Sequence, residues 1–229
     1  LTHAARVFPF PSTGPRAKNM IGTFWPGLKA IKSGESRPKA PAKWQATKVG
    51  VLGAGMMGAG IAYSTAIKGI QVVLKDVSVE NAEKGKAYSQ KILDKRVSQG
   101  RMTAEKRDQV LSLITATASA ADLQGCDLII EAVFENQELK AKVTQEAETH
   151  LAAGGVFASN TSTLPISGLA QASKDQKNFI GLHFFSPVDK MQLVEIIKGK
   201  ETSAETLAKA FDYVQQIGKT PIVVNDSRG

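Results

Sequence analysis

Residues 48–76 read KVGVLGAGMMGAGIAYSTAIKGIQVVLKD, which has the form of a strand, a glycine turn, a helix and a second strand. Val49, Val51 and Leu52 make a short apolar run suited to a buried parallel strand. Gly-x-Gly-x-x-Gly spacing follows at once at Gly53, Gly55 and Gly58. Gly53 permits the tight turn, Gly55 removes the side chain that would keep a pyrophosphate off the backbone, and Gly58 lets the helix pack close to the sheet. The first helical amides, at Met56 and Met57, are then free to bind phosphate at the positive end of the helix dipole. The helix is predicted to run over 56–68 and to stop at Gly69. The second strand ends at Asp76, 23 residues after the first glycine, near where a dinucleotide fold places its acidic ribose ligand. A carboxylate there accepts hydrogen bonds from ribose hydroxyls and would repel a 2′-phosphate, so NAD is favoured over NADP. The plainer reading makes Asp76 a strand-end residue or the N-cap of the next helix.

Downstream, helices are predicted over 79–99 and 103–111, the first ended by Gly100, and charged residues along them read as solvated faces. Strands are predicted at 48–52, 71–75, 114–118, 127–133, 156–159, 178–183, 192–197 and 219–224, with helices between them. That alternation gives an α/β fold, a Rossmann-type doubly wound and mostly parallel sheet. Ligands in such sheets sit at the carboxyl edge where the strand order reverses, which puts the ends of the fourth and fifth strands near a nicotinamide. Glu135, Asn136 and Lys140 are therefore candidate cofactor contacts, against a plainer reading of Asn136 as a helix cap and Lys140 as surface charge. In the loop Asn160-Thr161-Ser162-Thr163, Ser162 could hydrogen-bond a substrate hydroxyl, or serve only as a turn or cap before Pro165.

Residues 181–197, GLHFFSPVDKMQLVEII, form two apolar strands around a turn with Pro187 and Asp189. Each strand holds one ionisable residue, His183 and Glu195, 12 positions apart and able to lie side by side across a hairpin. A carboxylate on one imidazole nitrogen fixes the tautomer and stabilises the imidazolium. An alcohol dehydrogenase needs such a pair, because hydride leaves the carbinol carbon only as the hydroxyl proton is taken up. Beyond the hairpin, Thr202-Ser203-Ala204-Glu205 has capping-box spacing and opens a helix closed by Gly218. No metal site is expected.

The 229 residues carry a net charge of +8, and residues 1–48, with nine basic residues and the single acid Glu35, account for all of it. From Val49 onward 20 basic and 20 acidic residues cancel, so the body of the chain has no electrostatic case for nucleic acid. Proline and glycine throughout residues 1–46 rule out one continuous helix, and the segment reads as an irregular linker or arm with an apolar piece at 20–31. Its acid-poor, arginine-bearing start invites a transit-peptide reading; a first residue of Leu1 favours a chain cut from something longer. No apolar run approaches the roughly 20 residues of a membrane helix. The lone Cys126 allows no internal disulfide, suits a reducing compartment, and is expected to fill a strand start.

As an ordered set, GAGMMGAG with Asp76, EAVFEN, SNTSTLPI, GLHFFSPVDKMQLVEII and a final GK-x-P-I-x-V strand resemble the NAD-binding domain of the L-3-hydroxyacyl-CoA dehydrogenases, over about residues 47–229. SPVDKMQLVEII is most similar to the α subunits of multifunctional fatty-acid β-oxidation enzymes, in which an enoyl-CoA hydratase domain precedes this one. The resemblance implies oxidation of an L-3-hydroxyacyl-CoA by NAD, with His183 as base, Glu195 as its partner and Ser162 on the substrate hydroxyl. It implies cofactor contacts at Gly53, Gly55, Met56, Met57, Gly58, Asp76, Glu135, Lys140 and Asn160. It also implies residues 1–46 as an interdomain linker, a helical domain beyond residue 229, a thiolase subunit as partner, and a bacterial cytoplasm or mitochondrial matrix as compartment. Ser186 departs from the Asn that follows HFF in many single-function members. Two other readings stay open, a β-hydroxyacid dehydrogenase of the 6-phosphogluconate type with a lysine base, and a non-catalytic NAD(H)-binding relative.

Overall fold

The computed structural model describes residues 36–226, so the arm up to residue 35, with its apolar piece at 20–31, lies outside the described residues. Leu1–Arg37 separates from a unit that begins at Pro38. In that unit the chain forms β1 (Lys48–Leu52), β2 (Gln71–Lys75), β3 (Ile114–Thr117), β4 (Cys126–Glu131), β5 (Leu151–Ser159), β6 (Phe179–Phe184), β7 (Leu193–Lys198) and β8 (Thr220–Asn225). They make one sheet of order β3-β2-β1-β4-β5-β6-β7-β8. The β6–β7 pair is antiparallel and the other neighbours are parallel. The chain winds from β1 outward to β3 and then returns to place β4 on the other side of β1. The carboxyl ends of β1 and β4 therefore form the reversal point where a doubly wound sheet opens a crevice.

Among the described residues six α-helices cover the sheet: α1 (Met56–Ala66), α2 (Val79–Ser98), α3 (Ala104–Ser112), α4 (Gln137–Ala147), α5 (Ile166–Leu169) and α6 (Ala204–Gln216). Ile61 of α1, Leu93 of α2 and Phe211 of α6 pack with Val49, Val51, Leu128 and Ile130 on one face. Ala147 of α4 with Ile166 and Leu169 of α5 pack with Leu52, Ile129 and Phe157 on the other. Phe157 and Phe179 stack with ring centroids 5.6 Å apart. Burying each such side chain contributes about 1.5–3 kcal/mol, and both faces are needed because the parallel strands are apolar on both sides.

Several boundaries differ from the sequence reading. β4 stops at Glu131 rather than residue 133, because Ala132 and Val133 turn across the glycine loop, where a Cβ on Gly53 would meet the Ala132 carbonyl oxygen at 2.8 Å. β5 begins at Leu151 rather than 156, since Leu151 pairs with Cys126 ahead of a register shift. Ahead of β5 the helix Gln137–Ala147 tightens into a 3₁₀ turn, Glu148–His150. The cap of α6 is Ser203, which accepts from the Thr206 amide, and Thr202 instead donates to the Phe179 carbonyl. Residues 43–46, read as part of the arm, are docked on α6. Lys43 and the Trp44 amide bond Asp212, and the Ala46 backbone exchanges two bonds with Gln216.

Candidate active site

α1 starts without a side-chain cap and with no acidic residue in its first turn, so its first amides face outward uncompensated. A Cβ built on Gly55 would meet nothing within 4 Å, which leaves the backbone open to a ligand at that point. A Cβ on Gly58 would lie 1.8 Å from the Gly53 oxygen, so the third glycine is required for the turn and the helix to touch. Gly53 itself has φ +89°, a conformation that favours glycine. Beside the turn opens a cleft of about 570 Å³ lined by Gly53, Gly55, Met56, Met57, Asp76 and Phe134, among others. Asp76 accepts from the Ala54 amide at 2.6 Å and from the Val77 amide at 2.7 Å. The carboxylate is thereby fixed on the cleft wall, and the plainer reading of Asp76 as a cap does not hold, because Ser78 caps α2. An open glycine backbone, uncapped amides and a held carboxylate together fit a dinucleotide.

The hairpin places His183 directly opposite Glu195, with Nδ1 2.8 Å from Oε2. An ionised carboxylate only accepts, so Nδ1 carries the hydrogen and Nε2 presents its lone pair. The Glu195 side chain is 33% exposed and the imidazole 19% exposed, which leaves the pair open to a substrate. Phe185 lies against the imidazole, with centroids 4.6 Å apart. The turn that follows is held from several sides. Tyr88 donates to Asp189, and Lys219 Nζ donates to the carbonyls of Val188 and Met191 at 2.6 Å each. Burial, followed by the Asp189 bond, pushes the Tyr88 hydroxyl up to about 12. Ser186 Oγ reaches Met56 Sδ at 3.6 Å, which joins the histidine strand to the rim of the cleft.

Glu135 and Ser162 come together in a manner the sequence did not reveal. Glu135 Oε1 accepts from the amides of Ser162 and Thr163 at 3.0 and 3.1 Å and from the Thr161 hydroxyl at 2.5 Å. Burial pushes this carboxyl up, but the Thr161 hydroxyl, the Lys140 charge and the two amides outweigh it and take it down to about 2. Asn160 Oδ1 accepts from the Phe184 amide, next to His183. Asn136 caps α4 through the Leu139 amide, as its plainer reading had it. Lys140 does not reach the cleft wall. It is 1% exposed, and its ammonium lies between Glu131 and Glu135, 2.9 and 3.3 Å away. Glu131, fully buried at the end of β4, was missed; it is an ionisable residue in an apolar run, the signal that picked out His183 and Glu195. Downstream of Ser162, Asp226 accepts from the Ile166 and Ser167 amides at 2.8 Å each and caps α5. Cys126 is the buried first residue of β4, and burial pushes its thiol up to about 11, out of reactive range. Among the described residues no helix is long and apolar enough to cross a membrane.

Comparison with known proteins finds relatives over most of the chain. Residues 48–227 match the family described as 3-hydroxyacyl-CoA dehydrogenase, NAD binding domain. The fatty acid oxidation complex subunit alpha of Pseudomonas syringae pv. syringae (strain B728a) is 42% identical over 215 residues, 94% of this chain and 30% of that protein. The crystal structure of (S)-3-hydroxybutyryl-CoA dehydrogenase from Ralstonia eutropha superposes with a TM-score of 0.77 at 38% identity, covering 80% of this chain and 65% of that one. A 3-hydroxybutyryl-CoA dehydrogenase from Escherichia coli K12 gives a TM-score of 0.77 at 32% identity, covering 80% of this chain and 39% of that one. The chain thus spans less than two thirds of the length of each of these relatives.

Proposed function

The chain belongs to the 3-hydroxyacyl-CoA dehydrogenase NAD-binding family, and from that premise we propose that the whole protein oxidises the 3-hydroxyl of an L-3-hydroxyacyl-CoA to the ketone, as a step of fatty-acid β-oxidation. The observation that carries this reading is the 2.8 Å bond from His183 Nδ1 to Glu195 Oε2 beside a dinucleotide cleft. NAD, when bound, supplies the acceptor for the hydride from the carbinol carbon. His183 takes the hydroxyl proton at Nε2, and Glu195 stabilises the imidazolium that results. Ser162, with its amide held by Glu135, hydrogen-bonds the same oxygen and orients it towards the imidazole. Gly53, Gly55, Met56, Met57 and Gly58 form the pyrophosphate cradle, and Asp76 holds the adenosine ribose. Asn160 and Glu135 shape the nicotinamide end, and Lys140 acts there through Glu135.

A lysine base of the 6-phosphogluconate type finds no support at Lys140, which is buried against two carboxylates. A non-catalytic role leaves the His183–Glu195 pair without a use. The alignment with the α subunit covers 94% of the chain and so reaches into residues 1–46. With the match spanning 30% of that α subunit, this supports residues 1–46 as a linker within a longer chain; a hydratase domain before it, a helical domain after residue 229 completing the substrate site and a thiolase subunit as partner belong to the same proposal. The reaction then belongs to a reducing compartment, bacterial cytoplasm or mitochondrial matrix. In the whole protein, His183→Gln is expected to lower kcat for NADH-dependent reduction of acetoacetyl-CoA by about 10²- to 10⁴-fold while NADH still binds. Near-normal turnover by that variant would overturn the assignment.

A further inference from the structure

Glu131 ends β4 between Leu52 of β1 and Ser159 of β5, at the centre of the sheet edge that carries the site, and it is 0% exposed. Neither hydride transfer nor cofactor binding as described calls on it. Lys140 donates to its two oxygens at 2.9 and 3.0 Å, the Ser159 hydroxyl donates a short bond, and the Val133 amide lies at 3.3 Å. Burial pushes the Glu131 carboxyl up, and the Lys140 charge opposes that rise. Taking two charges out of water costs about as much as their attraction returns, and apolar side chains of similar volume often serve the fold as well. The pair therefore calls for a reason other than stability.

The reason lies in what else Lys140 touches. The same Nζ reaches Glu135 Oε2 at 3.3 Å and the Asn160 carbonyl at 3.3 Å. Glu135 holds the Ser162 amide, and Asn160 Oδ1 holds the Phe184 amide beside His183. One buried cation is thus the common support of both halves of the site, and Glu131 with Ser159 sets where that cation sits. We propose that the Glu131–Lys140 pair is a positioning device that fixes the Ser162 hydroxyl relative to the His183 imidazole, with Ser159 orienting the Glu131 carboxylate. The inference rests on the dehydrogenase reading above.

The test compares the whole wild-type protein with Glu131→Met/Lys140→Met, in acetoacetyl-CoA reduction, NADH fluorescence titration and thermal melting. A lone Glu131→Gln change takes from the buried lysine the nearer of its two carboxylates and is expected to destabilise the fold, so the double variant carries the decision. Positioning predicts a folded double variant whose kcat is lower by about 10²-fold, the scale of a 1 Å misplacement and a larger change than that in its NADH Kd. A purely structural pair predicts wild-type kcat in the double variant. Wild-type kcat, or a double variant that does not fold, would make the pair part of the fold alone and overturn the inference. A wild-type protein that does not reduce acetoacetyl-CoA would instead overturn the dehydrogenase reading and this inference with it.

Discussion

Glu135 has one oxygen turned to the backbone of its own loop partner and the other to Lys140, and this division decides how it responds to acid. Its carboxyl is held down to about 2 by the Thr161 hydroxyl, the Lys140 charge and the two amides, against the pull of burial. A carboxyl depressed in the folded state contributes stability fully above its unfolded value of about 4.3, and that contribution is lost as pH falls towards the folded value. The difference in melting temperature between the protein and Glu135→Gln is therefore expected to be constant near neutrality and to shrink on acidification below about pH 4.3. A difference that widens with acid would contradict the bonding described. Residues of this kind divide by how their partners are spaced. His183 and Glu195 were legible because both stand in one short hairpin. Glu131 was not, although it too interrupts an apolar run, because its meaning depends on Lys140 in the next helix and Ser159 in the next strand.

α1 is closely approached at two points in its first half. Gly58 admits no side chain against the Gly53 oxygen, and a Cβ on Gly60 would come within 2.7 Å of Val188 in the turn of the His183–Glu195 hairpin. A single methyl at residue 58 must therefore move the turn or the helix. Gly58→Ala is expected to abolish NADH binding in a fluorescence titration and to lower the melting temperature; retained NADH affinity would show that the turn can yield. The eight strands were readable from apolar runs between turn residues, and the glycine turn, whose geometry is local, was readable to the residue. The elements that shifted did so for non-local reasons. Leu151 joins β5 only because Cys126 offers it a partner, and Thr202 leaves the cap of α6 because Phe179 presents a carbonyl.

Across the whole molecule, ligand binding feeds directly into stability. A ligand at about 100 times its Kd adds about 2.7 kcal/mol, which for 150–250 residues corresponds to a rise in melting temperature of about 5–11 °C. NADH is expected to give such a rise and NADPH at the same concentration a much smaller one, since the proposed ribose ligand Asp76, a carboxylate held on the cleft wall, would repel a 2′-phosphate. Equal shifts would remove Asp76 from its assigned role. Fold class and cofactor were legible at this scale because they rest on pattern and spacing. The support beneath the site was not, because it is assembled from β4, β5 and α4. The bond between Asp226 and α5 has a mechanical meaning. The residue next after β8 grips the two amides that open the helix following the Ser162 loop. Pulling the two apart would strand two amide donors, at about 1–3 kcal/mol each wherever they stay shielded from water. Tension on the chain past Asp226 would therefore reach the helix that follows the Ser162 loop as well as β8.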